Sequence, residues 1–444
     1  ALPILALHKD AFFLLILQAI MQLSEDFLRE TRSVMGPDRF ERYLQAFEEE
    51  SPVSIRINPQ RISSEFRLLS SKSIVGHTPV PSNDDYSVVP WCPYGFYLPT
   101  RPPFTFDPLL HAGCYYVQEA SSMFLYEVLR QHLPSTPVAF LDMCAAPGGK
   151  STLIRSVLSE DSLLVSNEPI RKRAQVLSEN IQKWGYGNCY VTNNYPKDFR
   201  RAGLQFDAIL CDVPCSGEGM FRKDPDTIGE WSLQNVERCW QLQREIVSEA
   251  WQCLRPGGLF IYGTCTFNIK ENEENVRWIL QEFDAEPLSV DTKDEWNITP
   301  SLLKDFNVPV YRFIPGITRG EGLFMAVMRK RGTDATAMGK GSVFSSLAKK
   351  LERMNLIAPL SPLPTTASPQ IDLDYPTAIN YLRGEAIVLP PDVPRGLVTV
   401  TFMGQPLGQV KNIGSRANNL YPKEWRIKST HIPKTYETIF RPTE

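Results

Sequence analysis

Histidine is scarce in this chain, five among 444 residues, and none of its nine cysteines forms a CxxC pair. The histidines (His8, His77, His111, His132, His431) do not cluster beside the cysteines, so no zinc site is expected and no metal is assigned. The cysteines all lie between Cys92 and Cys265, odd in number and unpatterned, which reads as reduced thiols in a cytoplasmic protein. An excess of positive charge is also missing. The 47 Lys and Arg face 50 Asp and Glu, net charge −3, so any nucleic-acid contact must come from a local patch. The apolar run Ala11–Leu23 is too short and too interrupted by glutamine to span a bilayer. It lacks the basic n-region and A-x-A site of a signal peptide. It reads instead as an amphipathic helix or a cloning artefact within an N-terminal extension, residues 1–25, and no membrane partner is expected. There is no internal repeat.

Apolar content of 43% and charged content of 22% are those of a globular protein, and the length calls for two or three domains. Residues 25–50 carry apolar side chains at helical spacing, broken at Gly36-Pro37, and Ser54–Pro59 reads as a short strand. Together with the Ser/Pro-rich stretch 60–105 they form a small α+β lobe, 26–105. From 106 to 332 strands and helices alternate. The strands are expected at Val138–Met143, Leu163–Asn167, Cys189–Thr192, Phe206–Cys211, Leu259–Gly263 and Gly322–Met328. The helices are expected at Lys150–Leu158, Arg171–Trp184, Ser232–Cys253 and Lys270–Glu282. This alternation predicts an α/β fold, a parallel sheet covered on both faces, with the last strand returning antiparallel. Residues 333–374 read as a linker around one short helix, Val343–Met354. A compact tail, 375–444, has strand-like runs at Ala386–Leu389, Leu397–Phe402 and Leu407–Lys411.

Two cysteines stand where strands end: Cys215 in Asp212-Val-Pro-Cys-Ser-Gly-Glu-Gly219 and Cys265 in Tyr262-Gly-Thr-Cys-Thr266. Two thiols at the carboxyl ends of adjacent parallel strands point to one site that makes and breaks a covalent bond. A thiolate is the softest nucleophile available near neutral pH and suits conjugate addition to an electron-poor ring such as C6 of a pyrimidine. Asp212 is placed to hold a ring nitrogen. Buried cysteines are ordinarily inert, and Cys211 and Cys253 are read that way. Leu141-Asp-Met-Cys-Ala-Ala-Pro-Gly-Gly-Lys150 is a strand, a small-residue loop and a helix start. It is neither a GxGxxG fingerprint nor a phosphate loop. Its strand-end acid, Asp142, suits a ligand with a cationic amine. Glu168, closing the next strand in Asn167-Glu-Pro169, can bind the ribose hydroxyls of a nucleoside cofactor, or simply cap a helix. In the tail, nine Lys and Arg face five acids, interleaved with Tyr421 and Trp425. That composition suits RNA contact, or a solvated face.

These motifs, with Ser54–Asn58, Tyr116-Val-Gln-Glu-Ala-Ser-Ser-Met123 and Thr264–Glu274, resemble the NOL1/NOP2/Sun family of RNA (cytosine-5)-methyltransferases over about residues 50–330. Ser216–Pro225 and Gly408–Pro422 resemble the branch acting on small-subunit ribosomal RNA, the methyltransferase F type. The resemblance implies a Rossmann-like S-adenosylmethionine-dependent methyltransferase core and a PUA-like C-terminal RNA-binding domain. It assigns Cys144, Ala145, Ala146, Pro147, Gly148, Gly149, Lys150, Glu168, Arg173 and Asp212 to the cofactor. It makes Cys265 the nucleophile and Cys215 the residue that assists release, with Asp212 at the base and Lys150 bracing Asp212 or the base. Many relatives carry an Asp after the third strand. Here the chain reads Thr192-Asn-Asn-Tyr-Pro196, so Asn194 or Tyr195 is expected near the adenine. Arg222 and Lys223 are expected at substrate phosphates, and Lys411, Arg416, Tyr421 and Lys423 at RNA. Arg171–Arg173 also reads as a solvated helix start, and Gln118 as either a packing or a site residue. The expected partner is ribosomal RNA or the small ribosomal subunit, bound by a monomer. Transfer RNA as substrate, or a noncatalytic RNA-binding assembly factor, are the alternatives.

Overall fold

The computed structural model describes residues 23–62, 66–68, 73–75, 78–80, 87–332, 341–357, 368–429, 431–433 and 438–442. The apolar run Ala11–Leu23, apart from its last residue, lies outside them, as do Lys434 and most of the linker prolines.

At the centre is a twisted sheet. Its strands are β1 (Ala139–Asp142), β2 (Leu163–Asn167), β3 (Cys189–Thr192), β4 (Phe206–Asp212), β5 (Leu254–Thr264), β6 (Ala285–Leu288) and β7 (Leu323–Lys330). Their order is β3-β2-β1-β4-β5-β7-β6. The five strands β1–β5 run parallel, while β7 pairs antiparallel with both β5 and β6. Near-continuous apolar runs such as Phe206–Cys211 are buried on both faces, as a parallel sheet covered by helices requires. The covering helices are α1 (Gly149–Val157), α2 (Arg171–Trp184), α3 (Pro196–Arg201), α4 (Leu233–Gln252) and α5 (Glu273–Glu282). The chain order reverses between β1 and β4, so the crevice at their carboxyl ends is where a ligand belongs.

Two neighbouring units flank this core. Helices Glu25–Met35 and Pro37–Gln45 pack Phe27 and Tyr43 against Phe221, Trp231 and Phe267, on the far side of the loops that carry the two thiols. A second, four-stranded sheet contains Val53–Ile57 between Gly95–Leu98 and Tyr115–Val117. The strand Tyr115–Val117 therefore belongs with the N-terminal sheet, although the sequence reading places it on the core side of residue 105. The C-terminal sheet runs Gln370–Asp372, Gly396–Phe402, Gln405–Asn412 and Ala417–Asn419, with a helix at Tyr375–Leu382. Its first strand lies inside the expected linker. The expected strand Ala386–Leu389 is reduced to one bridge, Ile387 to Ala417.

The expected linker also docks. Helix α6 (Gly341–Leu351) buries Leu347 and Leu351 in the core of the central sheet. Residues 355–357 then lie along β3, where Asn193 donates to the Asn355 carbonyl at 2.9 Å and Ile357 to the Val191 carbonyl at 3.0 Å. Among the described residues no helix is long and apolar enough to cross a membrane. Among them, too, no group of three or more His, Cys, Asp or Glu is arranged to hold a metal.

Candidate active site

The cavity at the carboxyl ends of β1, β4 and β5 has a volume of about 460 Å³, within the usual range for a small-molecule site. Asp142, Cys144, Ala145, Ala146, Pro147, Gly149, Lys150, Arg173, Asp212, Lys223 and Cys265 line it, with Gln118, Glu119 and Glu321 on the N-terminal side. Most of the expected cofactor loop thus faces one space. Gly148 does not line it. That residue caps α1 with φ +116°, a conformation that favours glycine, and an added Cβ would meet Leu177 at 3.1 Å.

β4 and β5 are in register, Asp212 opposite Gly263, so the loops that follow bring Cys215 and Cys265 together. Their sulfurs are 3.2 Å apart, and the Cys265 backbone N–H points to the Cys215 sulfur at 3.4 Å. The hydrogen bond with Cys265 and burial hold the Cys215 thiol well above its ordinary pKa. Lys150 donates to Asp212 at 2.7 Å. Burial pulls the Lys150 ammonium down, but Asp212 more than offsets it, and the net shift is upward. Gly219 and Gly322 cross beside Cys265 so closely that a Cβ on Gly219 would meet the Cys265 carbonyl at 2.8 Å.

Asp142 is fully buried. One oxygen accepts from Ser151 at 2.6 Å, while the other, Oδ1, has no partner among the described residues. Burial, with Asp212 nearby, raises its carboxyl to about 7. A buried carboxylate oxygen without a partner, on a residue that lines the cavity, is costly unless a cationic group meets it. The amino group of the methionine portion of S-adenosylmethionine is such a group, and the glycine-lined loop beside it leaves room for the rest. The donor set therefore fits that cofactor.

Several expected site residues are placed differently. Glu168 is buried behind Arg173, which pairs with it at 3.4 Å and donates to the Ala146 carbonyl at 3.1 Å; Arg173 lines the cavity and Glu168 does not. Asn194, expected at the adenine, uses its amide on the backbone of Asn355. Its Nδ2 donates to the carbonyl at 3.2 Å and its Oδ1 accepts the N–H at 3.4 Å. The side chain of Arg222 is 7% exposed, pairs with Glu321 at 3.4 Å and donates to the Glu49 carbonyl, so it points inward rather than at a phosphate. Tyr421, expected to stack on RNA, is 3% exposed and packed against the rings of Tyr381 and Trp425. It belongs to the core of the C-terminal sheet. Lys223, Lys411, Arg416 and Lys423 are exposed.

The structure adds residues that the sequence reading left without a role. Arg56, buried in its strand, donates to Gln118 at 2.7 Å and Thr152 at 2.6 Å and lies over the Trp184 ring, bracing the start of α1. This contact makes Gln118 a packing residue as well as a wall of the cavity. Its signal was a charged residue in the apolar run Ser54-Ile-Arg-Ile57. Glu119 accepts from Ser121, Ser122 and Glu321 backbone N–H groups and so fixes the loop at 319–322. Glu218 and Glu271 are buried beneath the two thiols. Burial, reinforced by Glu218, pushes Glu271 to about 7.

Comparison with known proteins gives the same arrangement in three parts. Residues 133–329 match the sequence model described as 16S rRNA methyltransferase RsmB/F. Residues 23–120 match the N-terminal domain of 16S rRNA methyltransferase RsmF, and 368–427 the methyltransferase RsmF PUA domain. The chain is similar to the ribosomal RNA small subunit methyltransferase F of Cronobacter sakazakii, 30% identical over 470 residues, covering 90% of this chain and 96% of that one. The protein of the same name from Citrobacter koseri is 29% identical, covering 92% and 97%. Among solved structures, a methyltransferase homologue from Pyrococcus horikoshii is similar at a TM-score of 0.56 and 26% identity, over 71% of this chain and 98% of that one. NSun6 from Pyrococcus horikoshii, crystallised with SFG, shares the fold at a TM-score of 0.56 and 19% identity, over 70% and 99%.

Proposed function

The chain belongs to the RsmB/F family of 16S rRNA methyltransferases, and from that premise we propose that it methylates carbon 5 of a cytosine in 16S rRNA through two thiols. The observation that carries the proposal is the Cys215 sulfur 3.2 Å from that of Cys265, which lines the cavity together with Asp212 and Lys150. S-adenosylmethionine is the methyl donor and, when bound, supplies an electrophilic methyl on a sulfonium sulfur.

Carbon 5 of cytosine is a poor nucleophile. The Cys265 thiolate forms a bond to C6, and the displaced electron pair makes C5 enamine-like. Charge arriving at ring N3 is met by a proton shared with Asp212, which the Lys150 ammonium holds in place. Once C5 carries the methyl, its proton leaves to a base and the bond from C6 to the Cys265 sulfur breaks. The Cys215 thiol, 3.2 Å from it, hydrogen-bonds the departing sulfur and stabilises it as thiolate. Asp142 would hold the cofactor's amino group, and Cys144–Pro147, Gly149, Lys150 and Arg173 would line its bed. Glu168, which Arg173 covers at 3.4 Å, is the acid we assign to the ribose hydroxyls. The target base must leave its stack to enter the cavity, which favours loops and flexible junctions of the RNA.

Lys223 at the cavity mouth and Lys411, Arg416 and Lys423 on the C-terminal sheet are the residues we assign to RNA phosphates. We place the domain boundaries near 120, 332 and 368, and the protein in the cytoplasm as a monomer. The test uses labelled 16S rRNA. Cys265→Ala reduces methyl transfer to background while S-adenosylmethionine still binds. Cys215→Ala accumulates an RNA–protein adduct that survives denaturant. Turnover retained by the first variant, or no adduct from the second, overturns the proposal.

A further inference from the structure

The loops after β4 and β5 are joined by more than the two sulfurs. Glu218 sits three residues after Cys215, yet its carboxylate accepts the backbone N–H groups of Phe267 at 2.6 Å and Asn268 at 3.0 Å, on the other thiol's loop. Glu271 follows Cys265 by six residues, yet its carboxylate accepts the N–H of Ser216 at 3.0 Å, the residue next to Cys215. Each carboxylate is thus rooted in one loop and bonded to the other. The residues immediately after the cysteines, Ser216 and Thr266, join hydroxyls at 2.8 Å, and Gly219 donates to the Cys265 carbonyl at 2.8 Å.

Both carboxylates are buried, and their remaining contacts are donors. Glu218 accepts from Trp231 Nε1 at 2.9 Å and Asn268 Nδ2 at 3.0 Å, and weakly from the Ser216 hydroxyl at 3.4 Å. Glu271 accepts from Gln243 Nε2 at 2.6 Å and Asn268 Nδ2 at 2.7 Å. Gln243 also donates to the Pro214 carbonyl at 2.9 Å, so the Asp212–Cys215 turn is fixed from below. A structural account alone does not require two buried acids here. Loops of this length close with neutral groups, and a buried carboxylate surrounded by donors is a rigid clamp that is costly to build.

We propose that Glu218 and Glu271 are positioning residues for the two thiols, Glu218 fixing the Cys265 loop for attack on the base and Glu271 fixing the Cys215 loop for release. The inference rests on the two-thiol route proposed above and deepens it. Neither carboxylate lines the cavity. Each acts through backbone N–H groups one to three residues after a reacting cysteine. Replacing either by glutamine puts an amide N–H against a donor and leaves one acceptor where two were used. A shift of about 1 Å in a reacting group is worth roughly 100-fold in rate.

The two variants are expected to differ in kind. Glu218→Gln lowers kcat about 100-fold without accumulating adduct, because attack is slowed. Glu271→Gln lowers kcat by a similar factor and accumulates the denaturant-stable adduct, because release is slowed. S-adenosylmethionine affinity and the KM for RNA stay near wild type in both. The experiment runs both variants beside Cys265→Ala and Cys215→Ala, with melting temperatures measured. If the cysteine variants fail to give their own outcomes, the two-thiol route falls. If they behave and Glu271→Gln turns over like wild type, or loses rate without adduct, the positioning role of Glu271 is overturned. If Glu218→Gln does not fold, Glu218→Gln in the Cys215→Ala background at reduced temperature reads the rate of adduct formation. A rate equal to that of Cys215→Ala alone overturns its role.

Discussion

Asp142 shows at the scale of one residue what a binding site costs the fold. Its carboxyl is buried with one oxygen unpaired, and its pKa is raised to about 7 from an ordinary 3.8. An acid raised in the folded state binds its proton there while the unfolded chain has already lost it. Stability therefore falls as pH climbs from about 4 to about 7, and the full penalty remains above that. A shift of this size corresponds to a few kcal/mol, order of magnitude only. Asp142→Asn should raise the melting temperature at pH 8 and leave it nearly unchanged near pH 4. It should also weaken S-adenosylmethionine binding about tenfold or more, as loss of a charge-assisted contact does. Calorimetry at both pH values, with titration of the cofactor, checks this. A lower melting temperature at pH 8, or unchanged affinity, would remove Asp142 from the cofactor site. The sequence reading saw this acid at a strand end but had no means of seeing that one of its oxygens would be left without a partner.

At the scale of elements, the segment between core and C-terminal sheet is the part that departs most from expectation. Residues 355–357 extend the central sheet past β3, and Ile357 packs against the apolar cluster that contains Ala145 of the cofactor loop. Asn194 ties this segment through both groups of its amide. Asn194→Ala should speed hydrogen exchange at the Asn193 and Ile357 amides and lower stability by about 1 kcal/mol, the worth of a lost hydrogen-bonded pair. Cofactor affinity should change less than about fivefold, under 1 kcal/mol. A large loss of affinity with unchanged exchange would restore Asn194 to the adenine. The core strands were legible because their apolar runs have few alternatives, and Leu163–Asn167 and Cys189–Thr192 stand where their patterns put them. β5 begins earlier, at Leu254, because Gly257 at φ +77° lets the chain bend and keep pairing. The cysteines were legible from strand-end position. Glu218 and Glu271 were not, because a carboxylate that accepts N–H groups some 50 residues away in the chain leaves no local pattern.

At the scale of the whole molecule, the N-terminal sheet and the C-terminal unit share one apolar core. Ile55, Phe96 and Tyr115 pack in the same cluster as Ile379, Val398 and Phe440. Tyr375 donates to the Phe106 carbonyl at 3.2 Å, and Gln405 to the Arg61 carbonyl at 3.0 Å. The strand Phe66–Leu68 pairs with Phe440–Pro442. Removing the C-terminal unit therefore exposes the core of the N-terminal one, and a truncated chain would lose RNA binding through unfolding alone. The contribution of the tail must be read on an intact fold. Lys411, Arg416 and Lys423 are exposed, and among the described residues no hydrogen bond or ion pair ties their side chains into the shared core. Changing all three to alanine should leave the melting temperature within about 2 °C, as surface substitutions do. It should flatten the dependence of log K on log salt by roughly 2 if each meets one phosphate. With the catalytic cavity untouched, the loss should fall on KM for RNA rather than on kcat. A slope that stays at the wild-type value would take these three residues off the RNA path and leave Lys223, at the cavity mouth, as the cation that positions the strand.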